Sequence, residues 1–124
     1  MKTTKIIARV LLGLMLLVFG LNGFLQFMPM PEMSAEAGEL MGALAKAGYF
    51  FPIIAIVEIV VGALLLINKY TTIALIVLFP IMLNAFLFHL FLDLAGIGAA
   101  ALAITLNVFL FITNMDKYKE LLQA

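Results

Sequence analysis

Cysteine and tryptophan are both missing from this chain of 124 residues, histidine occurs once, and charged side chains make up only 11%. Without cysteine the chain has no disulfide, thiolate metal site, iron–sulfur cluster or dithiol relay of its own. A single histidine does not by itself hold a structural zinc or a doubly ligated haem, so no metal and no resident cofactor are expected. Seven basic residues balance seven acidic ones, and that neutrality lacks the basic stripe a nucleic-acid partner would require. Soluble proteins devote about a quarter of their residues to charge. A share this low, beside 66% hydrophobic residues, places the chain in a lipid bilayer.

Four apolar runs are long enough to span one: residues 6–27, 49–67, 71–92 and 96–115. The chain is expected to be a single domain over residues 1–124, an all-α integral membrane four-helix bundle. A cleaved leader is not expected, because the first run is too long and the small-x-small triplet Ala35-Glu36-Ala37 too distant from it. Arg9, Gly13, Leu16, Gly20 and Phe27 recur at helical steps, which predicts one bundle-facing stripe on the first span. Arg9 either snorkels to the headgroups from that stripe or has a specific partner. Asn68-Lys69-Tyr70 is too short a link for anything but an antiparallel hairpin between the second and third spans, and Pro80 predicts a kink within the third. On the fourth, Ala100, Ala103, Asn107, Leu110 and Asn114 form a packing stripe, and the charged tail DKYKELLQA is expected to continue the helix into water.

The first link is longer. Residues 28–48, MPMPEMSAEAGELMGALAKAG, open with two prolines that forbid helix and continue with a helix-competent stretch capped by Ser34 and ended by Gly48. With Leu40, Met41 and Leu44 on one side, this stretch reads as a short interfacial helix.

Glu58 is the acid that this pattern must accommodate, because it sits near the middle of an otherwise uncharged span. A charge at the bilayer centre costs roughly 2.5–3.5 kcal/mol even on lenient insertion scales. Ala55 and Gly62 share its stripe and allow another helix close, so Glu58 is expected to point inward and hydrogen-bond with Asn84, Asn107 or Arg9. Arg9 lies roughly 10 Å nearer the inner surface, which favours the asparagines. Asn84 and His89 are about 140° apart around their helix, so they face different directions. The candidate ligand-binding or proton-handling residues are therefore Arg9, Asn22, Glu58, Asn84, His89 and Asn107, with no catalytic residue assigned. Asn22, Glu58, Asn84 and His89 fall at similar depth to Phe51, Phe86 and Phe88, which suggests a site for a small hydrophobic ligand.

The arginine opening the first span, its ending GLNGFLQF, the acid in VEIVVGALLL and the motif FPIMLNAFLFHLF together resemble the DoxX family of small bacterial membrane proteins over nearly the whole chain. The resemblance implies a four-helix protein of the bacterial inner membrane, related to subunits of thiosulfate:quinone oxidoreductases and other membrane oxidoreductase assemblies. It carries Arg9, Glu58, Asn84 and His89 over by position. Many relatives have a lysine near the end of the first span, where this chain has Asn22 and Gln26. The implied function is a membrane component of a redox or stress-response assembly. Its expected partners are the bilayer, oxidoreductase subunits and further copies of the chain, with a quinone as its ligand. The alternative is a small proton-coupled transporter using Glu58, since small multidrug exporters are also four-span chains with one embedded glutamate. Those exporters place that glutamate in the first span and show little topological bias, which ranks transport second.

Every basic residue except Lys46 falls on one side of a four-span arrangement, so both termini are expected to be cytoplasmic. Reporter fusions after Ala124 and within residues 28–48 should report cytoplasm and periplasm respectively. A periplasmic signal from the C-terminal fusion would overturn the orientation.

Overall fold

A computed structural model describes residues 2–28 and 32–123, the side chain of Leu122 excepted. The prolines expected to keep the start of the first link out of helix, Pro29 and Pro31, lie outside the described residues. The elements are α1 (Lys2–Leu25), α2 (Ala35–Ala47), α3 (Phe50–Ile67), α4 (Thr71–Leu92), a 3-10 turn (Leu94–Gly96) leading into α5 (Ile97–Thr113), a second 3-10 turn (Met115–Tyr118) and α6 (Lys119–Leu122). Helices α1, α3 and α4, and the stretch Leu94–Thr113, are each long and apolar enough to cross a membrane. The first span begins earlier than its apolar run, because nothing in residues 2–8 breaks a helix. Lys2, Lys5 and Arg9 therefore ride on its first turns.

Local chemistry sets the boundaries. The Ser34 side chain accepts a hydrogen bond from the Ala37 N–H, and Gly48 closes α2 with a left-handed φ of 85°. Asn68 (φ 57°) and Tyr70 (φ 54°) both take the left-handed conformation that the tight α3–α4 hairpin requires. Pro80 is accommodated without a break, since α4 is helical throughout Thr71–Leu92. The inner side of α2 is formed by buried Ala37 with half-buried Met41 and Leu44, while Leu40 is exposed.

Packing runs in pairs: α1 lies chiefly against α3, and α4 against α5. The α1–α3 contact is backbone to backbone. A Cβ added at Gly62 would sit 2.9 Å from the Gly13 carbonyl oxygen, and one at Gly20 would sit 3.0 Å from that of Ala55. Such proximity is what small residues permit between membrane helices. The α1 stripe is thus as expected at Gly13, Leu16 and Gly20, but Phe27 lies beyond the helix end and is exposed. On α5, Ala103, Asn107 and Leu110 are buried as their spacing implied.

The core is concentrated toward the end that carries the termini. Leu12, Leu16, Leu65, Leu75, Leu78 and Asn107 are all less than 2% exposed there. Toward the other end the facing positions Ile54, Ala85 and Phe88 are only half-buried. The tail departs from expectation: instead of extending into water it turns back, so that Tyr118 is buried, stacks on Phe111 at 4.3 Å and donates a 2.8 Å hydrogen bond to the Thr72 carbonyl. Burial raises the pKa of the Tyr118 hydroxyl above its usual value.

The glycine contacts lead to a paired test. Gly62→Ala and Gly38→Ala both gain helix propensity, but a Cβ at Gly38 meets nothing within 4 Å. In detergent unfolding, Gly38→Ala should stabilise by up to about 1 kcal/mol and Gly62→Ala should destabilise by about 1–3 kcal/mol. Equal gains from both would contradict the close approach.

Candidate functional site

The polar candidates separate into three groups along the bundle, and the folding of each segment explains the separation. Arg9 faces α3 from the second turn of α1. Its Nη1 donates to the carbonyl oxygen of Leu65 and, at 3.4 Å, to that of Leu66. Both carbonyls belong to the last turn of α3, where the helix dipole is negative, and that of Leu65 also accepts from the Asn68 N–H at 3.3 Å. Arg9 is therefore neither a free snorkelling charge nor a partner of Glu58. It also lines a cleft at the end bearing the termini, together with Lys2, Lys5 and Lys117.

Glu58 occupies the middle group. At about 100° per residue it falls between Gly62 and Leu65 on the α3 wheel, so it does share the bundle-facing stripe. It is only half-buried, because the dense core ends near its level. The expected hydrogen bonds to Asn84, Asn107 and Arg9 are not formed, and among the described residues the Glu58 carboxyl has neither a hydrogen-bond nor an ion-pair partner. Asn107 is fully buried one helix away and donates through Nδ2 to the Leu75 carbonyl at 3.4 Å, with its Oδ1 unpartnered. Asn84 is exposed on the face of α4 opposite Leu78 and Met82. The convergence expected of Asn84 with Glu58 and His89 does not occur, since the 140° offset places Asn84 toward lipid.

The third group closes the far end. His89 Nδ1 lies 3.2 Å from the Asp93 carbonyl oxygen and 3.5 Å from Asp93 Oδ2, both acceptors, so Nδ1 is the ring's donor. Asp93 is only 7% exposed. The ring fits against the following turn because residue 96 is glycine, where a Cβ would sit 2.6 Å from His89 Cε1. On the neighbouring segment the Ser34 hydroxyl donates at 2.6 Å to the Leu92 carbonyl while capping α2. Asn22 has a local role as well: its Oδ1 accepts from the Met28 N–H at 2.8 Å and closes the turn leaving α1.

The sequence analysis does not single out Asp93 and so misses this latch. The signal available was the His-x-x-x-Asp spacing at the end of a span, which puts both side chains on one face. Among the described residues no three histidine, aspartate or glutamate side chains gather as metal ligands would. A second cleft, of about 300 Å³, lies between α3 and α4 and is wholly aliphatic, lined by Val57, Val60, Val61, Leu64, Ala74 and Val77 among others. Neither cleft is lined by Glu58, Asn84 or His89.

Four apolar spans, one capped helix between the first two, and polar side chains set within the spans define a multi-pass α-helical membrane protein. The sequence profile of the DoxX family matches residues 4–90, well over half of the chain, and the chain belongs to that family. The match ends in the last turn of α4, so α5 and the folded-back tail lie beyond it, a narrower extent than the expected resemblance over nearly the whole chain. No curated protein and no solved structure matches the chain.

The latch at the far end is testable through Ser34. Ser34→Ala removes both its cap and its bond to α4, a loss of about 1 kcal/mol or more. Hydrogen exchange at the amides of Ala37 and Gly38 should accelerate at least about five-fold, with α5 unaffected. Unchanged exchange would show that α2 is held by other contacts.

Proposed function

We propose that this protein is a membrane component of a redox or stress-response assembly of the bacterial inner membrane, with both termini cytoplasmic. Its chemistry is supplied by a partner chain, and a quinone or similar small hydrophobic molecule is taken up beside Glu58. The observation that carries this reading is the mid-span carboxyl without a partner among the described residues. An unpaired polar group in hydrocarbon costs several kcal/mol, so its partner is to be sought in a bound molecule or another chain. Asn84, exposed on the lipid face of an apolar helix, supports the same argument, because an amide there needs an acceptor from outside. A quinone offers carbonyl acceptors on an apolar body, which suits a carboxyl bordered by half-buried Ile54 and Phe51.

Proton-coupled transport ranks second. It would require Glu58 to reach both surfaces, and the packed layer of Leu12, Leu16, Leu65 and Leu78 fills the bundle on the side of the termini.

Protein extracted from native membranes in mild detergent should retain a quinone detectable by mass spectrometry of the organic extract. Glu58→Gln should lower its occupancy several-fold without unfolding the protein, since few contacts change. A photo-crosslinker at position 84 should join a partner chain, whereas one at exposed Ile53 should not. Empty protein and no specific cross-link would overturn the reading.

A further inference from the structure

At the end of the bundle opposite the Ser34 latch, a cleft of about 290 Å³ is rimmed by Lys2, Lys5, Arg9 and Lys117 over a floor of Leu65, Leu75 and Leu110. No aspartate or glutamate lines it. Among the described residues the only basic and acidic side chains within 4 Å of each other are His89 and Asp93, at the far end, so no described carboxylate lies on these four cations. Like charges gathered over an apolar floor repel one another and raise the local anion concentration. That arrangement is stable when an anion completes it.

Arg9 is the fixed element of this cleft. It is half-buried, and its Nη1 is tied to the α3 carbonyls. A guanidinium has five N–H donors in a rigid plane, and the bonds of Arg9 occupy only Nη1, leaving Nε and Nη2 without a partner among the described residues. A planar fork with free donors matches the oxygens of phosphate, and lysines on flexible stems supply charge around it. Asn68 and Thr71 add neutral polar groups from the α3–α4 hairpin. The volume exceeds that of one phosphate group with a few waters, at about 30 Å³ of liquid volume for each water.

We infer that this cleft binds a phosphate-bearing anion, with the Arg9 guanidinium as its fixed contact and Lys2, Lys5 and Lys117 folding over it. The two sources of that chemistry are the headgroup of an anionic phospholipid and free phosphate. The site is independent of the ligand proposed beside Glu58, from which the packed leucine layer separates it.

Full-length protein in neutral detergent is titrated with phosphatidylglycerol, with phosphatidylcholine as control, and read by native mass spectrometry. Sodium phosphate is titrated in parallel by calorimetry. Expected is one saturable site, either for phosphatidylglycerol in preference to phosphatidylcholine or for phosphate. The pair Lys5→Gln with Lys117→Gln should weaken binding about ten-fold or more, as two headgroup-level cations lost would imply. Lys69→Gln with Lys119→Gln removes the same charge at the same end but outside the cleft, and should leave binding unchanged. Arg9→Gln is less useful because it also uncaps α3. Preference for phosphatidylglycerol without phosphate binding assigns the lipid headgroup, and the converse assigns the free anion. The inference is overturned if neither binds saturably, or if the control pair loses as much as the cleft pair.

Discussion

The contact of α1 with α3 through Gly13, Gly20 and Gly62 is the constraint on which the rest of this bundle depends. Lipid tails are as apolar as leucine, so burial alone does not drive membrane helices together. Close backbone approach and polar bonds must do so, and α1–α3 has both. Because the helices touch, the Arg9 side chain reaches the last carbonyls of α3, and Leu12 and Leu16 pack beside Leu65. A side chain at any of the three glycines would move the axes apart and draw the Arg9 guanidinium off those carbonyls, of which that of Leu65 would keep only its bond from the Asn68 N–H. The capping bond and the glycine contact therefore support one another.

That contact also makes the bundle asymmetric. Leucine from α1, α3 and α4, together with Asn107 from α5, fills the half that carries the termini, and Tyr118 turns back to seal its edge. In the other half, bonds at the rim tie Ser34 to Leu92 and His89 to Asp93. Between the sealed half and the tied rim is the level of Glu58. Loose packing there is what exposes the carboxyl to whatever approaches from the side.

Side-chain periodicity made much of this legible. The stripe through Ala103, Asn107 and Leu110, the glycines of α1, the Ser34 cap and the hairpin at Asn68 could all be read because each depends on spacing within one segment. What spacing does not encode is the partner. Arg9 bonds to main-chain carbonyls, which carry no letter in a sequence, so a search for a charged side chain looked toward Glu58 instead. Asn84 was grouped with Glu58 by depth alone, although its angle around α4 turns it outward. The tail looked solvated because four of its nine residues are charged, yet a single tyrosine stacked on Phe111 reverses its course. Asp93 meets His89 only because the chain turns directly after α4.

Asn107 and Glu58 show how similar positions acquire different roles. Both are polar groups deep in the membrane-spanning region, and both point inward. Asn107 meets the Leu75 carbonyl from the adjacent helix, and such an interhelical bond contributes on average about 0.6 kcal/mol. It ties α5 to α4 in register more than it stabilises either. Its orphaned Oδ1 is tolerable because a neutral amide oxygen loses only one hydrogen bond when buried, about 1–3 kcal/mol. A carboxyl would be a poorer choice for that sealed position, since it brings a larger desolvation cost and needs more partners. Glu58 stands instead where the packing loosens, within reach of molecules that the leucine layer keeps from Asn107. Moving the acid one layer deeper would make it a structural liability. At its present level it has no hydrogen-bond or ion-pair partner among the described residues, and that is what the proposed ligand would supply.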